Sequence, residues 1–63
     1  MRDITITWYL YSGLTLLEYG WSRSLDDARL TAKSVALAEG GDRVVITVDS
    51  LSRGELYREE ISL

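Results

Sequence analysis

ITITWYLYSGLTLLEYGW, residues 4–21, decides the fold of this chain. Ile4, Ile6, Trp8 and Leu10 alternate with Thr5, Thr7, Tyr9 and Tyr11. Ser12-Gly13 then interrupts, and a second β-rich run follows from Leu14 to Trp21. Two such runs around a glycine-containing turn predict a β-hairpin. With Ser12 and Gly13 as the two-residue loop, Tyr11 falls opposite Leu14, Leu10 opposite Thr15, Trp8 opposite Leu17, Ile6 opposite Tyr19 and Ile4 opposite Trp21. Cross-strand partners share a face. One face is therefore expected to carry Ile4, Ile6, Trp8, Leu10, Leu17, Tyr19 and Trp21. The other carries Thr5, Thr7, Tyr9, Tyr11, Leu14, Leu16 and Glu18. The first has the composition of a core, and the second is too apolar for an idle solvent face.

Downstream, Ser24-Leu25-Asp26-Asp27 reads as a helix start, with serine three residues ahead of a carboxylate and acidic side chains in the first turn. Gly40-Gly41 ends the helix. At 100° per residue, Leu25, Ala28, Ala32, Val35 and Ala36 form one narrow stripe of small side chains, so the helix axis can lie close to a sheet that supplies the large ones. Val44-Val45-Ile46-Thr47-Val48-Asp49 is a strand by its β-branched content, with Val44, Ile46 and Val48 toward the helix. After a polar connection from Ser50 to Gly54, Glu55 to Leu63 forms a last strand with Tyr57, Glu59, Ile61 and Leu63 in register. Its charges, Glu55, Arg58, Glu59 and Glu60, suit a protected sheet edge. The expected fold is a single α+β domain spanning residues 1–63, a two-layer ββαββ unit with one helix packed on a four-stranded antiparallel sheet of order 2-1-3-4. The alternative places the third strand beside the second as a parallel pair.

The 63 residues carry a net charge of −3, from seven basic and ten acidic side chains, with no cysteine and no histidine. Disulfides, thiolate chemistry and the usual zinc ligands are excluded, as is the commonest general acid/base. No cofactor or metal is expected. The arginines, Arg2, Arg23, Arg29, Arg43, Arg53 and Arg58, are dispersed, which argues against a phosphate-binding surface. Strand-forming sequence starts at about residue 4 and runs to Leu63, as in a complete small gene product. No signal peptide is expected, and no apolar run nears the roughly 18 residues of a membrane span. A cytosolic protein without membrane contact is expected.

One helix covers one face, so the other is expected to expose Thr5, Thr7, Tyr9, Tyr11, Leu14, Leu16, Val45 and Thr47. Tyrosines and leucines on an uncovered sheet mark a contact surface. The candidate partner-binding residues are Tyr9, Tyr11, Leu14, Leu16, Glu18 and Val45. Leu30 and Leu37, on the far side of the helix near Asp26, form with Asp26 and Asp27 a secondary set. The function expected is a non-catalytic protein-binding module, its partner another protein or a second copy in a homodimer. Two other classes are weaker. Tyr9-x-Tyr11 could stack single-stranded bases, but the acidic balance makes direct nucleic-acid binding the poorer fit. An enzyme would have to rely on Glu18, the one carboxylate expected on the tyrosine face.

A very short acidic chain without cysteine or histidine, carrying one helix on a small antiparallel sheet, resembles small phage-encoded inhibitors of host defence, including anti-CRISPR proteins. The resemblance covers size and composition along the whole chain. It implies inhibition without catalysis, by occluding a site on a host complex that handles nucleic acid. Asp26, Asp27, Asp49, Glu55, Glu59 and Glu60 would then be available to stand in for phosphates.

Overall fold

The computed structural model describes residues 3–63, so Arg2 lies outside the described residues. The elements are β1 (Ile4–Ser12), β2 (Thr15–Ser22), α1 (Leu25–Glu39), β3 (Arg43–Ser50) and β4 (Gly54–Ser62). They form one antiparallel sheet of order β2-β1-β3-β4 with the helix on one side, the α+β arrangement expected from the sequence.

The helix begins where Ser24 Oγ accepts the Asp27 amide at 3.1 Å and ends where Gly40, at φ 82°, donates its amide to Ala36 O at 2.7 Å. Its buried residues are Ala28, Ala32 and Ala36, with Leu25 and Val35 packed at the margin. Against them lie Trp8, Leu10, Val44 and Ile46. Leu10, Val44 and Ile46 are the largest fully buried side chains, each stabilising the fold by roughly 1.5–3 kcal/mol through burial. The close approach is visible at Gly41, where a Cβ would lie 3.0 Å from Tyr11 O and would collide with the Leu10 side chain.

The first hairpin departs from the expected register. Its two-residue loop is Gly13-Leu14, with Ser12 opposite Thr15, and Gly13 takes a φ of 59°. Positive φ at the first central residue alone is the type II′ pattern. Tyr11 pairs with Leu16, but Leu10 pairs with Glu18, leaving Leu17 as an extra residue in a β-bulge. Beyond it Tyr9 pairs with Tyr19, Trp8 with Gly20, Thr7 with Trp21 and Ile6 with Ser22.

The bulge therefore moves Tyr19 and Trp21 off the helix side and brings Glu18 onto it. The physical reason is space. A helix seated on alanines has no room for Trp8, Tyr19 and Trp21 together, whereas the bulge sets Gly20 against Trp8. A Cβ at Gly20 would lie 2.8 Å from the indole. Even so, Trp8 Nε1 and Ser22 Oγ are buried without a hydrogen-bond partner among the described residues. Ile4, expected in the core, is nearly half exposed at its margin.

The second hairpin repeats the bulge on a three-residue loop, residues 51–53. Ser50 pairs with Gly54 and Asp49 with Glu55, then Val48 pairs with Tyr57, so Leu56 is the extra residue. No helix is long and apolar enough to cross a membrane among the described residues.

Candidate aromatic contact face

The strand pairings place side chains on the uncovered face in rows across the sheet. The first row is Leu16, Tyr11, Arg43 and Ser62, and the second is Tyr19, Tyr9, Val45 and Glu60. The third is Trp21, Thr7, Thr47 and Arg58, and the fourth is Thr5, Asp49 and Glu55. The face divides lengthwise into an aromatic half on β2 and β1 and a charged half on β3 and β4.

Within the aromatic half, the Tyr9 and Tyr19 rings lie 6.4 Å apart at a tilt of 34°, and Tyr19 meets Trp21 edge-on at 6.3 Å. Such pairs hold one another in place, so the row is a pre-ordered surface. Trp21 is nevertheless 72% exposed and Tyr19 54%. In the first row, Arg43 lays its guanidinium 4.6 Å from the Tyr11 ring centroid, a cation–π contact. Its Nη1 also donates to Glu60 Oε1 at 3.1 Å, and Arg58 pairs with Glu55 at 3.5 Å.

Four of the six primary candidates fall on this face: Tyr9, Tyr11, Leu16 and Val45. Val45 is only 2% exposed, so it floors the surface and cannot itself meet a partner. Thr7 and Thr47, also expected at the surface, are buried as well. These short side chains are sunk between longer neighbours in the same rows. Leu14 projects from the hairpin tip, almost fully exposed. Glu18 lies on the opposite face, across from Leu10, and accepts the Tyr19 amide at 3.4 Å. It therefore cannot act with the tyrosines.

The residues missed were Tyr19 and Trp21, the two most exposed rings of the face. A signal was present in the chain. The adjacent apolar pair Leu16-Leu17 breaks the alternation, as a bulge does, and Gly20 between two aromatics marks a close approach.

The secondary set does not converge. Asp26 is paired with Arg29 at 3.0 Å, and Asp27 serves the helix cap. Leu30 stands exposed, and Leu37 stands with Lys33, Ala36, Gly41 and Leu63 along an open groove of about 410 Å³ at the helix end. Among the described residues no cluster of three or more histidine, cysteine, aspartate or glutamate side chains could hold a metal.

The perturbed titrating groups lie elsewhere. Arg29 donates from Nε and Nη2 to the two Glu59 oxygens at 2.9 and 2.7 Å, tying helix to β4. Those bonds hold Glu59 below the usual carboxylate value and Arg29 above its own. The Tyr57 hydroxyl, donating to Glu59 at 2.9 Å, is pushed up. Asp3 is lowered by hydrogen bonds from Ser50 and Ser52. The Arg29–Glu59 and Asp3 bonds tie separate segments together, and the Tyr57–Glu59 bond lies within β4. Comparison with known proteins finds no matching family model, no matching curated protein and no matching solved structure, so the reading rests on this geometry.

Proposed function

We propose that this protein is a non-catalytic protein-binding module whose contact surface is the aromatic half of the open sheet face. The observation that carries the reading is the cluster Trp21, Tyr19 and Tyr9. Tyr19 meets Trp21 edge-on and Tyr9 at a tilt, and Tyr19 and Trp21 are left exposed beside the half-buried Tyr9, where an isolated domain would place polar side chains. Large rigid rings with polar tips lose little conformational freedom on contact, which is why aromatic residues concentrate in interfaces. Such a module acts by occupancy. It is the mode implied by the resemblance to small phage-encoded inhibitors, which occlude a site on a host complex.

Affinity capture with the tagged chain tests the proposal, using wild type beside a Tyr19→Ser, Trp21→Ser double variant whose fold is verified by circular dichroism. A protein retained by wild type and lost by the variant is the expected result. Equal retention by both overturns the assignment of the face. The same rings could also stack bases, but both arginines of the face are already paired with glutamates. Anisotropy of a labelled single strand at low salt is expected to show no binding.

A further inference from the structure

The partner class follows from the order of charges on the open face. Down the sheet, the rows carry Arg43, then Glu60, then Arg58, then Asp49 with Glu55: positive, negative, positive, negative. An alternating series of four matches its own reverse with opposite sign. A two-fold axis lying across the strands between the second and third rows pairs four of the five charges with their opposites and sets the fifth, Glu55, over Ser62. Glu60, held in its own chain by Arg43, also meets Arg58 of a second copy, and Arg43 meets that copy's Asp49, each contact occurring twice, so the in-chain pairs Arg43–Glu60 and Arg58–Glu55 extend into one network across the seam. The same operation keeps strand over like strand, so aromatic half meets aromatic half. Tyr19 falls on Trp21 of the second copy, and Tyr9 falls on the small Thr7.

We infer that two copies of this chain pack open face to open face about this axis, forming an isologous dimer. The inference rests on the reading of the face as a protein-binding surface and names its occupant. The competing face-to-face arrangement, with the axis along the strands, lays Arg43 over Tyr11 and Arg58 over Trp21, but it brings no carboxylate to an arginine of the second copy and sets Glu60 over the ring of Tyr19. That places a carboxylate against the negative face of an aromatic. The first axis removes the rings from water, leaving the Glu60–Arg58 contacts along the β4 edge and the Arg43–Asp49 contacts at the two ends of β3.

Area is consistent with such a dimer. Four strands about 4.8 Å apart and about seven residues long at roughly 3.3 Å each make a face of roughly 450 Å². A pair of chains thus hides roughly 900 Å² before side-chain relief is counted, close to the roughly 1,000 Å² at which specific interfaces begin. An interface of that size dissociates on dilution. A chain of 63 residues with a thin alanine-lined core also has the most to gain from self-association.

Sedimentation equilibrium from about 1 mM to about 1 µM, a range that spans weak to moderate association, tests the inference. The expected mass falls from twice 7.1 kDa toward 7.1 kDa on dilution, and Tyr19→Ser with Trp21→Ser holds the chain monomeric throughout. The decisive pair is Arg58→Glu and Glu60→Arg. Each variant alone sets like charges against one another and is expected to be monomeric. An equal mixture of the two pairs opposite charges at both positions and is expected to recover the dimer. A mixture that stays monomeric overturns the axis. A wild-type chain that is monomeric at about 1 mM overturns the dimer, yet leaves the contact face open to a foreign partner, which the capture experiment judges separately. A dimer that survives loss of both rings overturns the use of this face.

Discussion

The two hairpins share one frame and load it differently. In each, the edge strand makes two pairs beyond the turn and then inserts one extra leucine, Leu17 in β2 and Leu56 in β4. In each, an aspartate just ahead of a central strand pins the opposite hairpin's turn. Asp42, before β3, accepts the Gly13 amide at 3.1 Å and donates its own amide to Tyr11 O. Asp3, before β1, accepts from Ser50 Oγ at 2.7 Å, Ser52 Oγ at 2.9 Å and the Leu51 amide at 2.8 Å. Past the bulge, the first hairpin sends Tyr19 and Trp21 to the open face, and the second sends Arg58 and Glu60. The backbone device is therefore independent of what it displays. It fixes the face on which an edge strand's side chains emerge, and their chemistry decides whether that edge sticks or repels.

The largest effect is expected where the first bulge makes room for Trp8. Gly20→Val drives a side chain into the indole and is predicted to destabilise the fold by about 1–3 kcal/mol, read as a lowered denaturant midpoint. A neutral result would mean that the register of the first hairpin can slip back. The bulge leucines come next and measure how alike the hairpins are. Leu17 packs against the core, whereas Leu56 is nearly half exposed. Leu17→Ala should cost about 1–2 kcal/mol, below the range for a fully buried leucine, and Leu56→Ala less than about 0.5 kcal/mol. Equal costs would show that both edges are tied equally to the core.

These contrasts mark what the sequence could convey. The strand segments, the helix limits and the alanine stripe were legible because each rests on local periodicity and capping, at Ser24 and Gly40 above all, whereas the place of the third strand is a tertiary choice that left a parallel pairing with the second open. The side of the sheet on which Tyr19 and Trp21 emerge was not. It depends on one inserted residue, and a single-residue slip exchanges the faces of everything beyond it. The choice between the two registers is made by the helix, which packs against Trp8 from the far end of the chain's local order. For the same reason Glu18 was assigned to the wrong face, while Tyr9 and Tyr11, lying on the unbroken strand, were placed correctly. The burial of Val45 and Thr47 was likewise hidden, since it follows from the height of their row neighbours.

Removing the displayed chemistry should leave the frame untouched. Trp21→Ser is predicted to change stability by no more than about 0.5 kcal/mol, because the ring is mostly in water. It should also remove the long-wavelength part of the tryptophan emission and leave the blue emission of buried Trp8. A large loss of stability would place Trp21 in the structural frame.

The smallest expected effect separates the two pinned turns through pH. Hydrogen bonds from Ser50 and then Ser52 hold the Asp3 carboxyl below its ordinary value of 3.8. A carboxylate lowered in the fold stabilises it fully above the unfolded value, and that contribution is lost as pH falls through the lower native value. Asp3→Asn should therefore melt below wild type at pH 7, with the gap closing as pH drops under the ordinary carboxylate range. Glu59→Gln should follow the same course, because Arg29 lowers Glu59 in the same sense. The local consequence distinguishes the hairpins. In Asp3→Asn the Leu51 amide, which Asp3 holds, should exchange faster, while the Gly13 amide, held by Asp42, keeps its rate. If both amides speed up together, the two turns open as one unit and the hairpins are a single cooperative frame. If only Leu51 responds, each aspartate guards its own turn, and the aromatic hairpin keeps its shape when its charged counterpart frays.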